Sequence, residues 1–383
     1  MLAACSLGGA GHLQPLPFLD DARRRGHQTL VVAPPALTTM VEETQHPFLA
    51  GGEPSEAQIA PIRERLPVVP AAEASVLGNR EMFGRLATAA MLPAMERVLT
   101  DWKPDIVLRD PCEYASAVSA NQMGIATVQV AIGLAEVEWG SIDIASSALE
   151  EHRSGLTDEL RRSPYVTRFP ASLDHSPFPE THRFREFEPA ARRPLPDWWD
   201  GSQAPIVYVS FGAVLGHMSI AAEAFRAVIG AVAGLDARVL LTVGRTFDAS
   251  QLGQLPANVH VEAWVDQADV LPKAQVVVCH GGSGTTFGAL GAGVPVVIVP
   301  LFADQFINGS RVAAAGAGVV IDKGADGDGR RRPLSRADAP RISDAIEAVR
   351  NDSSYREQAR RVAAEMAATP TVDTLFDALV AAR

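Results

Sequence analysis

Short apolar runs alternate along the chain with longer stretches whose apolar residues recur at helical spacing. Leu2–Leu7 predicts a first strand, Leu13–Arg25 a helix stopped by Gly26, and Thr29–Ala33 a second strand. That β-loop-α-β order predicts a parallel sheet with crossover helices. Further strands are predicted at Asp105–Leu108 and Thr127–Ile132, with a helix over Tyr114–Met123 between them. The stretches 40–100 and 135–200 are less regular and read as mixed loops and helices. Pro194, Pro196, Trp198 and Trp199 lead into Gly201 and mark a break. The alternation then restarts. Strands are predicted at Ile206–Phe211, Arg238–Val243, Val259–Ala263, Gln275–Cys279 and Val294–Val299, with a helix over Ile220–Val232. Most of these strands are unbroken apolar runs, as in a parallel sheet covered on both faces. Ser335 opens a helix, with Asp338 as a weak capping-box partner, and two helical segments finish the chain. The expected architecture is α/β, with two doubly wound Rossmann-like domains. Their predicted extents are 1–195 and 205–365, joined by a linker at 196–204, with a C-terminal helix over 366–383 packing back on the first domain.

Composition narrows the function. A net charge of −11 argues against a nucleic-acid partner, whose phosphates are neutralised by Lys and Arg. The one basic run, Arg330 to Arg332, lies in a Gly/Asp-rich stretch and reads as a solvated loop. Cys5, Cys112 and Cys279 show no CxxC spacing, so reduced thiols and a cytoplasmic location are expected, with Cys5 and Cys279 in the core. No run reaches the roughly 18 apolar residues of a membrane helix, and the apolar N-terminus reads as a strand, not a signal peptide.

The run His280-Gly281-Gly282-Ser283-Gly284-Thr285-Thr286 follows a predicted strand and opens a short helix. Turn glycines let backbone amides approach a ligand, and a helix start presents unpaired N–H groups, so the turn suits a diphosphate. Gly288 and Gly291 lie within that helix at about 1 kcal/mol each relative to Ala, which implies a close neighbour or ligand. Neither Gly9-Ala10-Gly11-His12-Leu13-Gln14 nor Gly282 to Phe287 has the third glycine of a dinucleotide fingerprint.

The C-terminal half resembles the nucleotide-sugar-binding half of family-1 glycosyltransferases with the GT-B fold, closest in type to actinobacterial natural-product members. The likeness runs through Val261 to Leu271, His280 to Thr286, Gly293-Val294-Pro295, Pro300 to Gln305, and Asn308. The Gly11-His12 turn and Asp110 extend it to the N-terminal half. The resemblance implies two sheets facing across a cleft, with Trp264 stacked on the base and the Val265 backbone at its edge. It implies Gln267 near the ribose, His280, Gly282, Ser283, Gly284 and Thr285 at the diphosphate, and Asp304 and Gln305 on the sugar hydroxyls. There are departures: Asp266 stands where relatives carry Pro, and Ala213 where they often carry Ser or Thr. Gly288 replaces a Glu that relatives using UDP-glucose place on the ribose hydroxyls, which favours a dTDP-sugar over a UDP-sugar.

A base must remove the acceptor proton as the glycosidic bond forms, and a histidine suits this at neutral pH. The resemblance gives that role to His12, held by Asp110, with Glu113 as a nearby alternative to Asp110. Both His12 and Asp110 follow predicted strands, at the sheet edge where such folds bind ligands. Inversion of the sugar configuration also follows from the resemblance. Met82, Phe83, Met91, Ile132, Val137 and Trp139 are candidates to line a site for a small hydrophobic acceptor. No Asp, Glu or His cluster has metal-ligand spacing, and no cofactor or metal is expected, the leaving diphosphate being neutralised by His280 and its helix. A monomer or homodimer is expected. The alternatives are a non-catalytic sugar-nucleotide-binding partner and a GT-B-fold sugar-nucleotide epimerase.

Overall fold

The computed structural model describes residues 1–7, 10–66, 68–185, 193–212, 215–218, 220–324 and 332–375. Gly8, Gly9, Ala213, Arg330, Arg331 and residues 376–383 of the expected C-terminal helix lie outside these. The chain forms two compact units, Met1–Phe187 with Thr369–Arg383, and Glu188–Ala368.

The first unit carries seven strands: β1 Leu2–Ala4, β2 Leu30–Ala33, β3 Phe48–Ala50, β4 Ile106–Arg109, β5 Ala126–Val130, β6 Tyr165–Thr167 and β7 Thr181–Arg183. They lie in the order β3-β2-β1-β4-β5-β6-β7, with every pairing parallel. Strand period divides the core between two faces. Ala3 and Cys5 pack with Phe18 and Leu19 of the helix Leu16–Arg24. Leu2 and Ala4 pack with Met91 and Met95 of the helix Thr88–Asp101.

The second unit carries β8 Ile206–Ser210, β9 Arg238–Thr242, β10 Val259–Glu262, β11 Ala274–Cys279, β12 Val296–Ile298 and β13 Gly318–Val320. Their order is β10-β9-β8-β11-β12-β13, again all parallel. Val207 and Val209 pack with Phe225 and Val228 of the helix Ala221–Val232. Each sheet reverses its strand order once, between β1 and β4 and between β8 and β11, and ligand crevices open at such switch points.

Several expectations shift. β1 stops at Ala4 rather than Leu7, because the Ser6 N–H leaves the ladder for the Asp110 carboxylate. The three-residue strands β3, β6, β7 and β13 are too short to show a period. The stretch expected to be mixed is dominated by helices, among them Ala135–His152 and a wide-turn π-helix at Val76–Ala87. The units divide at Phe187, not within 196–204. Trp198 stacks on His260 and the Trp199 indole donates to the Asn258 carbonyl, which fastens this stretch to the second unit. Val372 and Leu375 are buried in the core of the first unit beside Phe18 and Phe184. The capping box between Ser335 and Asp338 is present. Arg332 is exposed in a loop, and its guanidinium pairs with the buried Asp338.

Candidate active site

In the first unit, the turn after β1 and the turn after β4 meet at the switch point. His12 Nδ1 lies 3.1 Å from Asp110 Oδ1, across 98 residues of sequence. The Asp110 side chain is fully buried, whereas that of His12 keeps 11% exposure. Asp110 Oδ1 also accepts the Cys112 N–H at 2.8 Å, and Oδ2 accepts the Ser6 N–H. The carboxylate is therefore fixed from both strands, and it fixes the ring in turn. With Nδ1 committed to Asp110, Nε2 is the nitrogen left to take a proton.

Beneath this turn lies a buried polar network that the sequence reading missed. Arg109 is fully buried at the end of β4. Its Nη1 donates to the carbonyls of Asp110, Pro111 and Glu113 at 3.2, 3.4 and 3.0 Å. Its Nη2 donates to Gln129 Oε1, and Gln129 Nε2 donates to Glu138 at 3.4 Å. Glu138 accepts the Ile132 and Gly133 N–H groups at 2.8 and 2.7 Å. Glu113 does not replace Asp110; its carboxylate caps a helix start by accepting from the Ser116 N–H and hydroxyl. Burial pushes Glu113 up to about 7 and Glu138 up to about 8. One buried guanidinium thus faces two carboxyls that burial biases toward the neutral form. Arg109 appears in the sequence only as a lone charge ending an apolar strand.

In the second unit, the glycine-rich turn sits at the other switch point. Residue 281 has φ +92°, and a Cβ there would lie 2.8 Å from the Gln305 carbonyl, so only glycine fits. A Cβ at Gly282 would lie 2.4 Å from His280 Nε2, and one at Gly212, after β8, would lie 3.0 Å from His280 Cε1. The two glycines form a slot for the imidazole. Enclosure lowers His280 to about 4, opposed by the Ser210 carbonyl nearby. In the unliganded protein burial therefore favours the neutral ring, which could meet an anion as an N–H donor.

The helix Ser283–Gly291 begins with the bond from Thr286 N–H to the Gly282 carbonyl. The N–H groups of Ser283, Gly284 and Thr285 therefore have no acceptor within the helix. A Cβ at Gly284 would meet nothing within 4 Å, so space opens over that turn. Gly291, by contrast, faces Met366 at 3.4 Å, a packing neighbour and not a ligand.

The remaining candidates surround this turn. Trp264 stands two residues past β10 with 55% exposure, and the Arg245 guanidinium lies 5.0 Å over its ring. Val265 follows it, partly exposed. Asp266, where relatives carry Pro, caps the next helix by accepting the Ala268 N–H. Gln267 Nε2 donates to Thr285 Oγ1 at 3.1 Å, and Gln267 Oε1 would lie 3.7 Å from a Cβ at Gly288. Asp304 Oδ2 accepts from Ser283 Oγ at 3.3 Å and Asn308 Nδ2 at 3.0 Å. The Gln305 side chain holds its own loop, its Oε1 accepting the N–H groups of Leu301 and Phe302 at 2.8 and 3.0 Å. Ala303, between Phe302 and Asp304, has φ +54°, a left-handed backbone that costs energy for a non-glycine residue.

Of the six acceptor candidates, Phe83 has its ring 5.8 Å from that of His12. Met82 is its neighbour on the π-helix, a rare element frequent at functional sites. Met91 is buried in the core. Ile132 and Val137 are partly exposed. Trp139 packs edge-on against Phe178 at 5.2 Å with Arg161 over its face at 5.4 Å. His12, Asp110 and Cys112, which have no shared motif in the sequence, bring one ligand atom each within 4.8 Å of one another. Among the described residues no helix is long and apolar enough to cross a membrane.

Two all-parallel sheets of this strand order belong to a GT-B fold. The glycosyltransferase SnogD from Streptomyces nogalater superposes with a TM-score of 0.74 at 25% identity, covering 100% of this chain and 98% of that one. SsfS6 from Streptomyces sp. SF2575, solved with thymidine diphosphate, gives a TM-score of 0.74 at 23% identity over 99% and 98%. Residues 21–170 match the N-terminal domain, and residues 226–382 the C-terminal domain, described as erythromycin biosynthesis protein CIII-like. The L-demethylnoviosyl transferase of Streptomyces niveus is 30% identical over 98% of this chain and 96% of its own length. The chain belongs to this CIII-like family of antibiotic-biosynthesis glycosyltransferases.

Proposed function

We propose that the protein transfers a sugar from a dTDP-sugar to a hydroxyl of a small hydrophobic acceptor, inverting the anomeric carbon. His12 removes the acceptor proton through Nε2, and Asp110 orients the ring and stabilises the imidazolium. The diphosphate is received by the amides of Ser283, Gly284 and Thr285, with a hydrogen bond from His280. The observation that carries this reading is the fixed His12–Asp110 pair, 3.1 Å apart on a buried carboxylate. A silent nucleotide binder has no use for a base held in one tautomer.

Gly288, beside Gln267, supports the thymidine donor, since a ribose 2′-hydroxyl finds no carboxylate from that position. Two fold neighbours, SsfS6 and VinC, are solved with thymidine diphosphate. A further neighbour, the rhamnosyltransferase SpnG, is solved with its spinosyn aglycone, in line with an apolar acceptor. The metal-free reading rests on the amide turn, which supplies the diphosphate with donors of its own.

A mass-spectrometric screen of dTDP- and UDP-sugars against phenolic and macrolide acceptors tests the reading. The expected result is acceptor plus one sugar, with inverted configuration by NMR. A sugar isomer formed without acceptor points to an epimerase instead, and donor binding with no nucleoside diphosphate release points to a silent partner.

A further inference from the structure

The turn that carries Asp110 also carries Cys112, a residue with no part in the transfer chemistry above. Its backbone N–H bonds Asp110 Oδ1, and its sulfur joins the His12 nitrogen and the Asp110 oxygen in a cluster whose ligand atoms all lie within 4.8 Å. The three donors come from turns at either side of the switch point, held together by the His12–Asp110 contact at 3.1 Å. Two nitrogen or oxygen ligands at about 2.0–2.1 Å from a tetrahedral Zn²⁺ stand roughly 3.3 Å apart, so an ion that replaced this hydrogen bond would need little movement of the pair. The sulfur lies within 4.8 Å of both donors, against roughly 3.5 Å between sulfur and a nitrogen or oxygen ligand of one tetrahedral Zn²⁺, so it needs to close by no more than about 1.3 Å. His12 and Cys112 are both partly exposed, so an ion has a path to them. Imidazole, thiolate and one carboxylate form a donor set that selects a borderline-soft divalent cation over Mg²⁺ or Ca²⁺.

The geometry points to a regulatory binding site for a thiophilic divalent cation, of the Zn²⁺ type, at His12, Asp110 and Cys112. Occupancy would switch the transferase off, a consequence that rests on His12 being the base. On binding, the cation takes one imidazole lone pair, one carboxylate oxygen and the thiolate, and the thiol proton leaves to solvent. If the ion takes Nδ1, the ring proton must move to Nε2, the nitrogen that must stay bare to accept the acceptor proton. If it takes Nε2, the base is occupied outright. Either way no electron changes hands, and a chelator reverses the block.

Cobalt(II) added to the purified full-length protein reports the site directly, since a thiolate ligand produces a near-ultraviolet charge-transfer band. Cys5 and Cys279 are fully buried, so the band reports Cys112. One cobalt per chain with that band is expected, and Cys112→Ser should lose the band and weaken binding by about tenfold or more. In parallel, Zn²⁺ should abolish turnover, EDTA should restore it, and Cys112→Ser should need about tenfold more Zn²⁺ for the same loss. Identical cobalt spectra and affinity in the wild type and Cys112→Ser would overturn the site. A Cys112-dependent band with turnover untouched by Zn²⁺ would overturn the switch and remove His12 as base, while leaving the cation site standing.

Discussion

The two units share one strand-order reversal and build the turns above it in opposite ways. In the second unit the site is built from neighbours in sequence: His280 to Thr285 on one strand–turn–helix, with Asp304 to Asn308 close behind. Its donors are backbone amides that glycines leave uncovered, and its imidazole is held neutral in a slot between Gly212 and Gly282. In the first unit the site is assembled from turns 98 residues apart, and rests on a fully buried Arg109 that holds three carbonyls of the Asp110 turn. A site that grips an anion needs amides and space. One that aims a base needs side chains locked from beneath.

The largest expected effect probes that support. Arg109→Leu should cost about 3–5 kcal/mol, because it strands buried carboxyls and three carbonyls without their cation. Denaturant unfolding followed at both units measures it, and a loss below 1 kcal/mol would show the network to be dispensable. The counterpart in the second unit is Asn308, fully buried, whose Nδ2 donates to the Gly281 carbonyl, Ser283 Oγ and Asp304 Oδ2 at 2.8, 3.2 and 3.0 Å. Asn308→Ala should cost about 1–3 kcal/mol and weaken dTDP binding. Equal losses for the two variants would erase the contrast.

The units should also respond to pH with opposite sign. Glu113 and Glu138 rise in the folded chain from 4.5 to about 7 and about 8. The folded state then holds more protons than the unfolded one between those values, and stability falls as pH climbs from about 4.5 to 8. His280 drops on folding from 6.5 to about 4, so there the unfolded state holds more protons and stability falls as pH descends from about 6.5 to 4. Glu138→Gln should flatten the alkaline limb and leave the acid limb, and His280→Gln should do the reverse. Stability curves against pH in the two variants decide this; one variant altering both limbs would contradict it.

The smallest effect concerns the donor. Titration calorimetry should find dTDP bound more tightly than UDP, and Gly288→Glu should shift the ratio toward UDP by about tenfold, the scale of one charged hydrogen bond. The Cβ meets only ordinary contacts, Leu271 at 3.5 Å and Gln267 at 3.7 Å, so the residue should be accommodated. An unchanged ratio would take Gly288 out of donor selection.

This contrast also explains what could be read in advance. The amide turn was legible because strand, glycines and helix start are contiguous, and the central strands because their apolar runs are unbroken. His12 and Asp110 were reached only through family likeness, as nothing in local pattern couples residues so far apart. Arg109, Gln129 and Glu138 were missed altogether. A charge ending an apolar strand, such as Arg109, looks like a boundary, and burial with its partners exists only once β4, β5 and the helix Ala135–His152 pack. Cys112 belonged to no sequence motif for the same reason. The short strands β3, β6, β7 and β13, three residues each outside long apolar runs, and the π-helix escaped because period cannot be read from so few residues, nor a wide turn from composition.

The central claim is that one imidazole supplies the base while the other unit holds the nucleotide, so the two functions must separate in a single variant. His12→Ala, measured for turnover and for dTDP affinity side by side, makes that separation directly. The account predicts kcat reduced by at least about a hundredfold with the dTDP dissociation constant unchanged; turnover near that of the wild type, or dTDP affinity lost along with it, would contradict it.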